Sequence, residues 1–370
     1  MNVSADKNKM SALTKGVDWI RIRRLIEAMN RSSPISKRPA TLDDVAALVG
    51  VSAKTVSRVV NRDGNVSAKT RERIELALRE TGYRVNQAAR SLAASRSYLI
   101  GAFMPHLSSF YFAEIFRGAA KACRQYGYHL VLEEFDHGAE TVVDRYEQGL
   151  RGAHCDALIL TPPTCDDEKL LEALDRDGMR YVRIAPSKQL GRSTALGADD
   201  RQGVEELVQH LWAKGSRSFA MIAGPVDHLA ATIRERTFFQ TLAGLGCDPA
   251  RLSIVRPEWN EPIADAGREA TLRLFHDTPQ RPDAIFAFND ELAIGAMAGV
   301  RELGLSIPDD VAIAGFDDSH VAQLVWPPLT TIHQPIAELA FKAVGIIADS
   351  DELNGNDVWL PTNLVVRGTA

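Results

Sequence analysis

The sequence predicts a small all-α head followed by an α/β body of two doubly wound parallel-sheet lobes. Three observations point there. Between residues 41 and 83, helix-capping and helix-stopping residues recur at the spacing of short helices. Beyond residue 97, short apolar runs alternate with amphipathic stretches, the texture of buried parallel strands joined by helices. Charge is also divided along the chain. Residues 1–97 hold 19 Lys and Arg against 9 Asp and Glu, leaving 24 against 39 for residues 98–370, although the whole chain carries a formal net charge of only −5. A basic front end on an acidic body suits a phosphate-binding module attached to a soluble carrier.

Residues 1–38 are polar, contain Ser-Ser-Pro and carry Arg21, Arg23 and Arg24 on one weakly amphipathic stretch, so a flexible extension is expected, with Met29 as an alternative start. The head is expected over residues 39–97. Thr41 caps a helix over 42–49, with Asp43 and Asp44 in the first turn, where the helix dipole favours acids. Gly50 stops it. After a short turn Ser52 caps a second helix, and Ser67 caps a third over 68–81 that Gly82 closes. The expected shared core is Val45, Leu48, Val51, Val56, Val59, Val60, Ile74, Leu78 and Tyr83.

The body opens with a strand at 98–104 and a helix at 112–126, and further strand-like runs follow at 129–132, 157–160, 181–184, 219–223, 285–288 and 311–314. About ten such strands exceed one comfortable sheet. Two halves with a ligand crevice at the strands' carboxyl ends are expected instead. The boundaries expected are 98–198 with 329–350 for lobe 1, and 199–328 with 351–370 for lobe 2. Neither Gly-x-Gly-x-x-Gly nor a P-loop occurs, so no cofactor is expected. Cys123, Cys155, Cys165 and Cys247 form no C-x-x-C pair, which argues against a metal cage or a disulfide framework. No run reaches the roughly 18 apolar residues of a membrane span, and the first residues are too polar for an export signal, so a cytoplasmic protein is expected. The adjacent acids Asp199-Asp200 and Asp317-Asp318 point to opposite sides of an extended chain and make no paired-carboxylate site, so no enzymatic activity is expected.

A short turn between the first two helices makes a helix-turn-helix, whose second helix enters the major groove of double-stranded DNA. That helix is Ser52-Ala-Lys-Thr-Val-Ser-Arg-Val-Val-Asn61. Ala53, Lys54, Ser57, Arg58 and Asn61 are expected on its exposed side, with Val56, Val59 and Val60 inward. Lys54 and Arg58 would donate to guanine O6 and N7, while Ser52, Thr55 and Asn61, with Thr41 nearby, suit phosphate contacts. The alternative is a solvated face on a helical bundle.

Residues 41–61, with Val66-Ser-Ala-Lys-Thr-Arg71, Gly82-Tyr83, Asn86-Gln-Ala-Ala-Arg-Ser-Leu-Ala93, Ile100-Gly101, Asn289-Asp290, Gly315-Phe-Asp-Asp318 and Pro328-Leu-Thr-Thr-Ile332, resemble the lactose/galactose repressor family. The resemblance spans almost everything after residue 38. It implies a hinge helix over 86–94 that orders on operator DNA, with Asn86 in contact and Leu92 wedged into the minor groove, where apolar insertion bends the duplex. Val85 stands where the family often has proline. It also implies a body like a periplasmic sugar-binding protein, with a sugar or sugar derivative between the lobes.

Carried over by motif, the effector set is Ser109, Tyr111, Phe112, Arg234, Asn289, Asp317 and Gln334. Aromatic faces would meet C–H surfaces, and the polar groups would meet hydroxyls. Trp259 is a further candidate at the cleft border. Ala185 replaces an acid common in relatives, and Arg183 lies close by; if it faces the cleft, an acidic or phosphorylated sugar fits better, and if it faces solvent it says nothing. A purine-type effector and a sugar-binding protein without a regulatory role are the competing readings, and the basic head argues against the second. A homodimer is expected because a two-fold pair of heads matches a palindromic operator.

Overall fold

The computed structural model describes residues 40–60, 66–83, 96–105, 110–135, 141–226, 228–258, 262–277, 280–350, 353 and 357–370. The chain divides into two compact units, 1–95 and 96–370. Asn61, Asn86, Leu92, Ser109 and Trp259, with the extension and the hinge segment, lie outside the described residues.

Three helices make the head: α1 (Leu42–Val49), α2 (Ala53–Val60) and α3 (Ala68–Thr81). Thr41 and Asp44 form a reciprocal capping box on α1, and Gly50 ends it at φ 71°, a left-handed turn that costs glycine nothing. Ser67 caps α3, and Gly82 ends it at φ 63°. Val45, Val56, Val59 and Ile74 are fully buried as expected; Ala46, Val49 and Ala77 join them, while Leu48, Val51, Val60, Leu78 and Tyr83 pack only partly. Arg73 Nη2 donates to the Val49 carbonyl at 2.7 Å, tying α3 to the C-terminus of α1.

The body begins with β1 (Leu99–Pro105), α4 (Phe110–Tyr126), β2 (His129–Phe135), α5 (Val142–Arg145, continued as a π turn over Tyr146–Leu150), β3 (Ala157–Leu160), α6 (Glu168–Arg176), β4 (Tyr181–Ile184) and β5 (Ala195–Asp199). It continues with α7 (Asp200–Ala213), β6 (Phe219–Ile222), α8 (Leu229–Gly244), β7 (Leu252–Val255), α9 (Ile263–Asp277), β8 (Ala284–Ala287), α10 (Asp290–Glu302), β9 (Ala312–Asp317) and β10 (Thr330–His333). It closes with α11 (Ile336–Asp349), β11 (Val358–Pro361) and β12 (Asn363–Val365). Two six-stranded sheets result, ordered β11-β5-β4-β3-β1-β2 and β12-β10-β9-β8-β6-β7. All pairings are parallel except β10 with β12.

The lobe membership differs from expectation at the C-terminal end. Residues 329–350 were assigned to lobe 1 as one block, but β10 pairs with β9 in the second sheet (Thr330 opposite Ala314), and only α11 returns to the first lobe. The chain crosses at Gln334–Pro335, between a buried strand that needs β9 for its ladder and a helix whose apolar face fits α4. Likewise β11 runs along β5 in the first sheet, and only the stretch from β12 onward belongs to lobe 2. Three crossings therefore join the lobes. Thr362 ties two of them together: its Oγ1 donates to the Asp199 carbonyl at 2.7 Å and accepts from Gly203 N at 3.1 Å.

Helix packing on lobe 1 relies on a small residue. A Cβ at Gly118 of α4 would sit 2.1 Å from the Ala337 carbonyl oxygen of α11, a backbone atom that cannot rotate away. Gly118→Ala should therefore destabilise the body by about 2 kcal/mol or more through overpacking, read as a lower urea midpoint at unchanged m value; an unchanged midpoint would show that α4 and α11 are not held this close.

Candidate effector cleft and nucleic-acid interface

On α2, Val56 and Val59 anchor the helix in the head core and leave the opposite side for contact. Lys54 is exposed, and Ser57 and Arg58 are half-buried. Ser52 Oγ accepts from Thr55 N at 3.2 Å and shares a 2.8 Å hydrogen bond with Thr55 Oγ1, so these two hydroxyls build the helix cap. The Thr41 hydroxyl is likewise engaged in its own cap. Ala53 departs from expectation: its methyl packs partly against the head core, because the helix begins at that residue and its first turn leans on α1.

In the body, strand carboxyl ends and helix starts bring together residues far apart in sequence. Arg234 on α8 is 4% exposed. Its Nε donates to Asp200 Oδ2 at 2.8 Å and its Nη1 to the Phe288 carbonyl at 2.8 Å. The guanidinium carbon lies 3.4 Å from the ring centroid of Phe316 and 4.6 Å from that of Phe288. A buried cation is tolerable only when paired and hydrogen-bonded, and Asp200, at the start of α7, supplies the counter-charge while the two ring faces add cation–π attraction.

Asp317 ends β9 at φ 106° and Asp318 follows at 54°, a left-handed reversal that sends adjacent acids into different surroundings. Asp318 binds Arg367 and accepts from His333 Nδ1 at 3.0 Å. Burial would raise the Asp318 carboxyl, but the bonds to His333 and Arg367 prevail and hold it below its ordinary value. Asp317 is the opposite case. Burial pushes its carboxyl well above the usual range, and the pull of Arg234 is countered by the negative charges of Asp290, Asp200 and Glu291. Asp290, fully buried, accepts from Ser319 N at 2.7 Å, Ser319 Oγ at 2.8 Å and Thr331 Oγ1 at 2.5 Å, yet burial still raises it to about 6.

Lobe 1 meets this cluster through the start of α4. The Phe110 backbone N–H donates to Glu291 Oε1 at 3.0 Å, so a lobe-2 carboxylate caps a lobe-1 helix. Tyr111 lies within the electrostatic reach of Cys165, Asp317, Arg234 and Asp200, and burial raises its phenol well above the ordinary value. Phe112 packs edge-on against Tyr111 (5.5 Å) and stacks on Phe116 (6.2 Å). Asn289 caps α10 by accepting from Leu292 N at 2.9 Å, which leaves its Nδ2 to donate elsewhere. Gln334, in the second crossing, is 6% exposed, and its Oε1 has no hydrogen-bond partner among the described residues.

Arg183 needs correction. It faces neither solvent nor cleft but is fully buried, donating to Ser193 Oγ (3.1 Å) and to the carbonyls of Lys188 (2.9 Å), Gln189 (2.6 Å) and Cys165 (3.4 Å). Its donors staple the loop after β4. The residues missed from sequence are Asp200, Asp290, Glu291 and His333. Their signals were present in the pairs Asp199-Asp200 and Asn289-Asp290, but which member of each pair turns inward depends on where a helix starts. Among the described residues no group of three His, Cys, Asp or Glu is placed to hold a metal ion, and no helix is long and apolar enough to cross a membrane.

Comparison with known proteins follows the same two-part division. Residues 41–86 match the model of bacterial regulatory proteins, lacI family, and residues 208–370 match that of a periplasmic binding protein-like domain. The ribose operon repressor of Escherichia coli (strain K12) is 31% identical over 343 residues, 90% of this chain and 100% of that protein. The crystal structure of the lac repressor dimer bound to operator and the anti-inducer ONPF superposes with a TM-score of 0.69 at 29% identity, covering 90% of this chain and 99% of that one. A complex of the transcriptional regulator CelR with cellobiose gives 0.66 at 29% identity, covering 90% and 100%.

The His333–Asp318 pair yields a pH prediction. His333 has its pKa raised above 6.5 chiefly by the Asp318 hydrogen bond, so its stabilising contribution is complete below 6.5 and is lost as pH rises through the folded value. Asp318 is lowered, so its contribution is present above 3.8 and is lost as pH falls through the folded value. The pair stabilises the body most between 3.8 and 6.5. In His333→Gln the decline in stability above pH 6.5 should flatten, as measured by urea unfolding across pH; an unaltered slope would exclude His333 as its source.

Proposed function

The chain belongs to the lacI family of bacterial regulatory proteins and is a DNA-binding transcription regulator rather than an enzyme, and we propose that it is a repressor whose hold on operator DNA is set by a sugar-like molecule bound between the two body lobes. What supports this reading is the electrostatic proximity of Tyr111 from lobe 1 to Arg234 and Asp317 from lobe 2, to which we add Asn289 at the start of α10 and Gln334, whose buried Oε1 has no partner among the described residues. Aromatic walls beside a few fixed polar groups suit a polyol. The ribose repressor and the CelR–cellobiose complex support a sugar over a purine. The lac repressor dimer on its operator supports a homodimer that sets two heads on a palindromic site. A ligand that closes the lobes would then shift operator affinity by its differential affinity for the two arrangements.

Direct readout is assigned to Lys54 and Arg58. Lys54→Ala should cut discrimination between operator and random DNA by roughly 10- to 100-fold, the value of one good base contact, measured by competition binding at fixed salt; a uniform loss on both DNAs would make Lys54 a phosphate contact instead. For the cleft, Gln334→Leu removes an acceptor that without ligand is buried and unsatisfied, so stability should hold or rise by about 1 kcal/mol while the effector response weakens. Lower stability with a normal effector response would place Gln334 in the framework and remove it from the site.

A further inference from the structure

The chain enters the body at Arg96, the first residue of the second compact unit, and the sheet ladder begins only at Leu99, opposite His129 of β2. Residues 97 and 98 lie between, held by one side chain. Asp156, immediately before β3, accepts from Ser97 N at 2.7 Å and Ser97 Oγ at 2.8 Å through Oδ1, and from Tyr98 N at 3.0 Å through Oδ2. Ser97 Oγ in turn accepts from Leu99 N at 3.2 Å, and Asp156 N donates to the Leu99 carbonyl at 2.8 Å. Tyr98 sits at φ 57°, a left-handed bend that disfavours any residue with a β-carbon. Its carbonyl accepts from His129 N at 2.8 Å and its ring packs against Tyr128 at 5.6 Å, so the bend is fixed on both sides. Pairing of β1 with β3 starts at Ile100 opposite Ala157, and neither ladder of β1 needs a left-handed residue ahead of it. Strain retained in a folded chain points to a use. Here it turns the chain out of the line of β1 and on to a carboxylate that holds two successive backbone N–H groups by charge-assisted bonds.

We propose that Asp156 is a positioning residue for operator binding, fixing the joint through which the body holds its DNA-reading head. This rests on the reading of the protein as a homodimer that sets two heads on a palindromic site. Once one head is bound, binding of the second is an intramolecular step, and its strength depends on how narrowly the connection confines that head. Freeing residues 97 and 98 lengthens the loose part of the connection and dilutes the second head around its half-site. Binding by one head alone is unaffected. The joint is also the covalent route by which a change in the body reaches the head, so a fixed entry conserves the coupling between them.

The test uses the full chain and the operator that it selects from a random DNA pool, compared at fixed salt with the same duplex carrying one half-site scrambled. The ratio of the two affinities reports the second head. A loss of folded protein lowers both affinities alike and leaves that ratio intact, so a purely structural role would not move it. Asp156→Asn keeps the size of the side chain but turns the acceptor facing Tyr98 N into a donor, and should cut the ratio by about tenfold, the shift that loss of one bond to a charged group brings. Ser97→Ala removes only the hydroxyl and should cut it by about threefold. Amide exchange at positions 97 and 98 should quicken in both variants. An unchanged ratio in both variants overturns the proposal and leaves two-headed binding standing. If the wild-type chain binds the intact and the half-scrambled duplex equally, the two-headed reading itself fails and the positioning role with it.

Discussion

A guanidinium buried between two phenylalanine rings is costly without a counter-ion, and Arg234 obtains its own from the first residue of α7. That bond ties α8 to the point where the chain has just left β5 and entered lobe 2, so a charge requirement and a topological crossing are met by one interaction. Losing either partner would leave the other buried and unpaired, a cost of about 3–5 kcal/mol. The remaining cleft residues are arranged around this pair. Phe288 offers both a ring and a carbonyl, Phe316 stands just before Asp317 on β9, and Asn289 and Asp290 open α10 immediately after Phe288. The candidate cleft thus lies where parallel strands deliver their carboxyl ends to one edge.

The head was legible because capping is local. Thr41 with Asp44, Gly50, Ser67 and Gly82 each act within four residues, and the structure places all of them where propensity does. Seven strands of the body were legible from their apolar runs, with ends displaced by up to three residues, while β5, β7, β10, β11 and β12 were not among those runs. Their sheet membership was less so. Thr330–His333 and the helix after it read as one block, yet the chain changes lobe between them, since pairing of β10 with β9 is a long-range decision that local pattern does not encode.

Site residues divide along the same line. Arg234, Asn289 and Asp317 were recognisable because each stands in a short motif, but the motif says nothing of a side chain's partners. Arg183 illustrates this: the residue type suits an anion site, whereas its position one residue before the end of β4 aims it into its own loop, where three acceptors, joined by the Cys165 carbonyl from the turn after β3, consume it. The acids fail in the opposite sense. Asp317 and Asp318 do part, but through a left-handed reversal and not by alternation along an extended chain, and the carboxylates that interact come from β9, α7 and α10, a grouping that appears only once the sheets are assembled.

Allosteric response requires that a ligand favour one lobe arrangement over another, and the cleft is unequally prepared for that. The lobe-2 half is already built, with Arg234 locked onto Asp200 and Phe288, and Asp290 holding Ser319 and Thr331. Contacts made within lobe 2 alone contribute equally to every lobe arrangement and so shift nothing. Under the proposed effector reading, differential affinity comes from groups that span the lobes: Tyr111 on α4, Gln334 in the second crossing, and the Glu291 carboxylate that already reaches the Phe110 N–H. A ligand hydroxyl donated to Gln334 would satisfy an acceptor that has no partner among the described residues at the passage between lobes, and relief of that penalty, about 1–3 kcal/mol, is of the size usual for coupling between two sites. The same buried amide that weakens the empty protein would therefore be the group through which occupancy is felt.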